Sequence, residues 1–189
     1  NAVKHVGAVP HFIDIESETL GMCPKSLEKR LDTIAEKRDN KVINRETGRR
    51  IAAVMPVHVF GNPAAIKKLQ TVCHRWGLPL VEDAAEALGS WFEEKHCGLF
   101  GDLGVLSFNG NKLITTGGGG ALITNDRLKA ERARHLSTTA KKTHKWDFEH
   151  DEVGWNDRMP NINAALGVAQ LEDIDQRLKA KKELARKYT

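Results

Sequence analysis

Four stretches of the chain place apolar residues at helical spacing, and short apolar runs lie between them. Leu27, Leu31 and Ile34 share one face of a helix predicted over residues 24–37, with Pro24 at its start. Ile66, Leu69, Val72 and Cys73 do the same over residues 64–76, and Gly77 ends that helix. Asn125 or Asp126 caps a third, over residues 126–136. Pro160 opens a long fourth helix with Ile162, Ala165, Leu166, Ala169, Leu171, Ile174 and Leu178 on its apolar stripe. The strand candidates differ in pattern. Val9 to Ile15 alternates, with Pro10 marking an edge or a first residue. Ile51 to Val57 is continuously apolar, as suits a strand buried on both faces of a parallel sheet. Leu78 to Val81, Val105 to Phe108 and Gly120 to Thr124 are further strands, and Gly89 to Phe92 a small one. Asp39 to Arg50 reads as a surface excursion or hairpin with a turn at Glu46-Thr47-Gly48, and Thr138 to Asp157 as irregular. Strand, helix, strand around residues 64–76 calls for parallel pairing through right-handed crossovers. The predicted fold class is therefore α/β, a mostly parallel sheet flanked by helices.

Composition narrows the function. A chain of 189 residues can build one real core, and 40% hydrophobic with 29% charged residues is a globular balance. The net charge is +4, and the basic clusters at Lys141-Lys142 and Lys179 to Lys182 are local. With one Tyr and no aromatic–basic interleaving, no nucleic-acid partner is expected. No apolar run reaches membrane length and no signal peptide opens the chain, so neither a membrane partner nor export is expected and a cytoplasmic protein is. Cys23, Cys73 and Cys97 are odd in number and lack metal-ligand spacing, which predicts reduced thiols and no metal. The chain lacks an initial Met and closes within a charged helix at Lys181 to Thr189, so it is expected to be a piece of a longer protein.

Ligands of open α/β sheets bind at the carboxyl ends of the strands. Three turns fall there: His58 to Asn62, Glu82 to Glu86, and Ser107 to Lys112. Lys112 stands between two strands, before the glycines Gly117 to Gly120. A half-buried amine sheds its charge readily and can form a Schiff base; a phosphate-binding or solvated loop lysine is the alternative. Asp83 can face a protonated ring nitrogen, cap a following helix, or belong to an acidic pair holding magnesium. Ser107 can take a phosphate oxygen or simply end a strand. The glycines precede a strand and do not form Gly-x-Gly-x-x-Gly, which argues against a dinucleotide fingerprint or a Walker loop. His58 reads as a satisfied turn histidine.

Four segments then match one family in order. They are Pro-Val-His-Val-Phe-Gly at 56–61, Glu-Asp-Ala-Ala-Glu at 82–86, Ser-Phe-Asn-Gly-Asn-Lys at 107–112, and Gly-Trp-Asn-Asp-Arg-Met-Pro-Asn at 154–161. They resemble the DegT/DnrJ/EryC1/StrS family of pyridoxal-phosphate-dependent nucleotide-sugar aminotransferases. With Leu-Ser-Thr-Thr-Ala-Lys at 136–141, they look most like the branch that aminates UDP-linked 4-keto-6-deoxy-N-acetylhexosamines, the legionaminic-acid and bacillosamine type.

The resemblance implies the large domain of fold type I, with pyridoxal 5′-phosphate as cofactor. Residues 1–159 would be its core, lacking an N-terminal part, and residues 160–189 a long helix leading toward a small C-terminal domain. Lys112 would carry the cofactor and shuttle a proton, and Asp83 would keep the pyridine nitrogen protonated. Glu86 would lie near the ring oxygen, where the family often has Gln. Ser107 would bind the phosphate. Asn156 would reach the phosphate of a second subunit's cofactor, which makes a homodimer the expected assembly. Arg158 would be structural or near the site, and Asp157 stands where an aromatic residue is usual. A UDP-sugar and glutamate would be the substrates. Lys112 also separates the chain from family dehydratases, which carry histidine there. Little or no turnover is expected of this chain by itself. A non-catalytic remnant that binds a partner, or a generic nucleotide-binding domain, is the competing reading.

Overall fold

The computed structural model describes residues 1–188; Thr189, which the sequence places at the end of the last helix, lies outside the described residues. In chain order the elements begin with a short α1 (Ala2–His5) and α2 (Pro24–Ile34). A hairpin follows, β1 (Ala35–Arg38) with β2 (Lys41–Asn44), and then α3 (Ile66–Trp76). Next come β3 (Val81–Asp83), a second hairpin of β4 (Trp91–Phe92) and β5 (Lys95–His96), then β6 (Leu103–Ser107) and β7 (Gly120–Ile123). The chain closes with α4 (Arg127–Ser137), α5 (Asn161–Glu172) and α6 (Ile174–Ala185).

The two periodic helices build the core. α3 buries Ile66, Leu69, Val72 and Cys73, and Gly77 stops it in the left-handed region at φ 72°. α2 buries Leu27, Leu31 and Ile34. Their apolar faces meet Val54, Leu78, Leu80 and Phe100 in one cluster. Each such side chain contributes about 1.5–3 kcal/mol when removed from water. A smaller cluster of Ala84, Ala87, Cys97 and Leu106 sits behind the carboxyl ends of β3 and β6. Asp126 caps α4, accepting hydrogen bonds from the Leu128 and Lys129 N–H groups.

The main sheet runs β3-β6-β7, with β3 parallel to β6 and β6 antiparallel to β7. Residues 51–57 lie along the free edge of β3 through two parallel bridges, Val54 to Leu80 and Val57 to Asp83. They do not make a continuous strand: Pro56 and Pro79 have no N–H to give the ladder. Their expected burial on both faces is also corrected. Val54 and Pro56 are buried, whereas Met55 and Val57 are exposed.

Three other expectations change. Residues 9–15 form no strand; Ile15 makes one bridge to Met22, and Phe12 is 88% exposed. α2 stops at Ile34, because Ala35 turns extended and enters the β1–β2 hairpin. Asp39 and Asn40 form that hairpin's turn at φ 49° and 58°, the left-handed pair a tight two-residue connection requires. The long C-terminal helix is two helices broken at Asp173. α5 buries only Gly167, leaving Ile162, Leu166, Val168 and Leu171 exposed.

Candidate active site

Strand alternation decides which side chains meet. The pairings put Val57, Asp83, Val105 and Leu122 in one row across one face of the sheet. This face is open: Val57, Val105 and Leu122 are exposed and Asp83 is half-buried. Ser107 lies on the same face, two residues beyond Val105 at the carboxyl end of β6. Asp83 does not cap a helix. It is followed by a turn, and its Oδ1 accepts a hydrogen bond from Ala85 N at 3.1 Å. Among the described residues it has no ion-pair partner.

Glu82 points the other way, so the two acids do not form a magnesium pair. It is fully buried against His58, whose Nε2 lies 2.9 Å from Glu82 Oε2. Burial by itself would raise the Glu82 carboxyl. The hydrogen bonds from His58, Gly101 N and Gly98 N outweigh that and hold it below the ordinary glutamate value. Gly104 lets the loop around Gly98 close over this spot, since a Cβ there would run into the Gly98 backbone.

The loop that carries Lys112 is pinned from within and from α5. Lys112 N donates to Asn109 O at 3.1 Å, and Thr116 N to Phe108 O at 3.0 Å. Asn109 N reaches Ser107 Oγ at 3.4 Å. From α5, Asn163 Nδ2 donates to Thr116 O at 2.6 Å. Gln170 brackets Thr115, accepting from its N–H at 3.1 Å and donating to its carbonyl at 2.7 Å. Gly167 lies between them, and a Cβ there would meet Thr116 Cγ2 at 2.8 Å. Sequence reading missed Asn163 and Gln170. The available signal was their spacing of seven on a helix that is otherwise apolar between its end residues Asn161 and Glu172, which puts two amides on one face.

Lys112 is drawn inward, with 17% of its side chain exposed. Its Nζ lies 3.1 Å from Glu86 Oε1. Glu86 also accepts from Phe60 N at 2.9 Å through Oε2. The Lys112 side chain, then the Phe60 N–H, hold the Glu86 carboxyl below its ordinary value. Glu86 was expected beside a ring oxygen; here, from its own turn, it bonds to both of the others. Phe60 adopts a left-handed φ of 54° with its ring 84% exposed, and Gly61 follows at φ 77°. A Cβ on Gly61 would meet Glu86 O at 2.6 Å, so the turn sits directly on the Glu86 backbone. The amine is thus partnered by a carboxylate, which the expectation of an uncharged lysine did not include.

Asp83, Glu86, Ser107 and Lys112 therefore gather at the carboxyl ends of β3 and β6. Asn156 does not join them. It is exposed, bridged to Thr138, and makes no side-chain hydrogen bond to the other four among the described residues. Arg158 is exposed as well. The segment carrying both is tied to α4 elsewhere. His135 Nε2 lies 2.7 Å from Asp151, and Arg132 pairs with Glu152. His135, Asp151 and Glu152 group their ligand atoms within 4.8 Å of one another, but Arg132 already neutralises Glu152. No helix among the described residues is long and apolar enough to cross a membrane.

The family model for DegT/DnrJ/EryC1/StrS aminotransferases matches residues 1–189. The chain is 37% identical over 188 residues to a GDP-perosamine synthase of Escherichia coli O157:H7, covering 100% of this chain and 47% of that protein. It is 31% identical over 189 residues to a UDP-4-amino-4,6-dideoxy-N-acetyl-beta-L-altrosamine transaminase of Campylobacter jejuni, covering 100% of this chain and 46% of the relative. A DegT DnrJ EryC1 StrS aminotransferase from Brucella abortus superposes with a TM-score of 0.85 at 29% identity, over 98% of this chain and 47% of that one. The fold is that of the fold type I pyridoxal-phosphate enzymes. The chain spans about half the length of the curated relatives it matches.

Proposed function

Because the chain belongs to the DegT/DnrJ/EryC1/StrS aminotransferase family, whose enzymes depend on pyridoxal 5′-phosphate, we propose that it forms the lysine-bearing part of a sugar aminotransferase. The amino group moves from glutamate to a nucleotide-linked 4-keto-6-deoxy sugar. The observation that carries this reading is the meeting of Lys112 and Glu86 beside Asp83 and Ser107 at the strand ends. Residues 1–159 would be the cofactor-binding core, and residues 160–189 the helical lead into a further domain.

The residues fit the cofactor's chemistry. Asp83 offers a half-buried carboxylate on an open face, suited to a protonated ring nitrogen. Ser107, at the end of β6, offers a hydroxyl to the phosphate. Once bound, pyridoxal 5′-phosphate supplies an electrophilic aldehyde carbon and a ring that takes up electrons. Lys112 supplies the amine and carries a proton at Nζ. Glu86 holds that amine inside the site through the contact at 3.1 Å. Asn156 serves a second copy's cofactor phosphate, so the working assembly is a homodimer. The protein works in the cytoplasm, where its three free cysteines stay reduced. The two relatives named above differ in nucleotide, UDP or GDP, so both donors belong in the test.

The chain is mixed with pyridoxal 5′-phosphate, reduced with borohydride and digested. A pyridoxyl adduct on Lys112 in preference to the other lysines is expected, and its absence would sink the reading. Incubation with glutamate and either a UDP- or a GDP-linked 4-keto-6-deoxy sugar then separates an enzyme from a folded remnant that binds without turnover. The exposed row of Val57, Val105 and Leu122 and the half-length match favour weak or no turnover by this chain alone.

A further inference from the structure

His58 and Glu82, titratable side chains without a role in that chemistry, are both 0% exposed and face each other. A buried carboxylate is strongly unfavourable unless hydrogen bonds replace those it made to water. Here they do. Glu82 Oε2 accepts from His58 Nε2 at 2.9 Å and from Gly98 N at 2.8 Å, and Oε1 accepts from Gly101 N at 2.5 Å. His58 Nδ1 accepts from Ala64 N at 3.1 Å. That contact uses the Nδ1 lone pair, so the proton toward Glu82 sits on Nε2.

The main chain of the same residues frames Asp83. Asp83 N donates to Pro56 O at 2.9 Å, and Asp83 O accepts from His58 N at 3.0 Å. Glu82 is its neighbour in β3 and points to the opposite face. Residues 51–57, the turn at 58–64, β3 and the loop at 98–101 are therefore tied together where Asp83 stands. A slip or twist of β3 would pull Glu82 from its donors and swing Asp83 at the same time.

We infer that the His58–Glu82 pair is a positioning element for Asp83: gripped on the buried face, β3 presents the Asp83 carboxylate in one direction on the open face. Neither side chain reaches that face, so both act through Asp83. The consequence for the cofactor rests on the function proposed above, but the positioning can be measured without cofactor.

Chains labelled with [13C]aspartate and [15N]histidine give the test. In the wild type, the His58 nitrogens report the proton on Nε2; a proton on Nδ1 overturns the inference. His58→Leu removes both contacts. Glu82→Gln turns one acceptor into a donor facing an N–H. Both are expected to displace the Asp83 carboxyl resonance while those of Asp126 and Asp151, on and beside α4, stay in place. His58→Gln, which can still donate and accept, keeps it near the wild-type position. Where His58→Leu or Glu82→Gln does not fold, Glu82→Asp draws the charge back by one methylene and carries the same expectation. Folded variants with an unmoved Asp83 resonance and only a lower melting temperature would reduce the pair to a structural role and overturn the inference. Pyridoxal 5′-phosphate affinity should fall about tenfold in Glu82→Gln, the lower end of what outer partners do to a direct ligand. If the wild type takes up no cofactor at Lys112, the functional proposal fails while the Asp83 resonance still decides this one.

Discussion

Glu82 and Asp83 are neighbours with the same charge, and the sheet gives them opposite lives. Glu82 lies behind the sheet, fully buried, and accepts from three N–H groups. Asp83 lies in front, half-exposed, with one local hydrogen bond and an open row of apolar neighbours. The contrast extends across the sheet. Behind it, α2 and α3 press Val54, Leu80 and Phe100 into a core; in front, Val57, Val105 and Leu122 stay exposed. The rear face carries the stability, and the front face is free to carry chemistry.

The sharpest test of that division is Lys112→Ala. It should abolish the borohydride-fixed pyridoxyl adduct while leaving the urea midpoint near wild type, because Lys112 is pinned through its backbone. Loss of folding would break the comparison. At the rear, Leu69→Ala should cost about 2–5 kcal/mol in urea unfolding, since Leu69 is wholly buried on α3.

One substitution made on both faces sharpens the comparison further. Val54→Thr puts a hydroxyl into the rear core, where the side chain is 5% exposed, and should cost about 1–3 kcal/mol. Val105→Thr makes the same change in front at 41% exposure and should stay within about 0.5 kcal/mol. Equal effects would mean that the two faces do not differ as described.

The acid limb of stability should also belong to the rear. The Glu82 carboxyl is depressed in the folded state, by hydrogen bonds that outweigh its burial. Its contribution is therefore complete above the unfolded glutamate value of about 4.3 and is lost as pH falls through the lower folded value. Unfolding measured from pH 7 downward should show a smaller acid loss in Glu82→Gln than in the wild type. An identical slope would remove Glu82 from the account.

The positions of α2 and α3 were legible because each buries a stripe of its own residues. Leu27, Leu31 and Ile34, and Ile66 through Cys73, pack as their spacing implies. The Asp126 cap and the Gly77 stop are equally local. Residues 9–15 were misread because a strand needs a partner, and alternation cannot supply one. Residues 51–57 were read as doubly buried because apolar content does not say which faces have neighbours. Of the candidate site, Asp83, Glu86, Ser107 and Lys112 were named from motifs, and Asn156 too, although the described contacts leave it apart from them. The Lys112–Glu86 pair, the Glu86 hold on Phe60 and the Asn163 and Gln170 clamps were not foreseen.

By itself, then, the order of residues determined the places of α2, α3 and α4, the Gly77 stop and the Asp126 cap, the family and the identity of the chemical groups. These follow from interactions within a few residues or from motifs read whole. Tertiary structure alone decided that Glu82 turns inward and Asp83 outward, and that a lysine meets a glutamate 26 positions away. Which of two adjacent acids loses its water depends on what lies across each face of β3, and that is set by parts of the chain far from both.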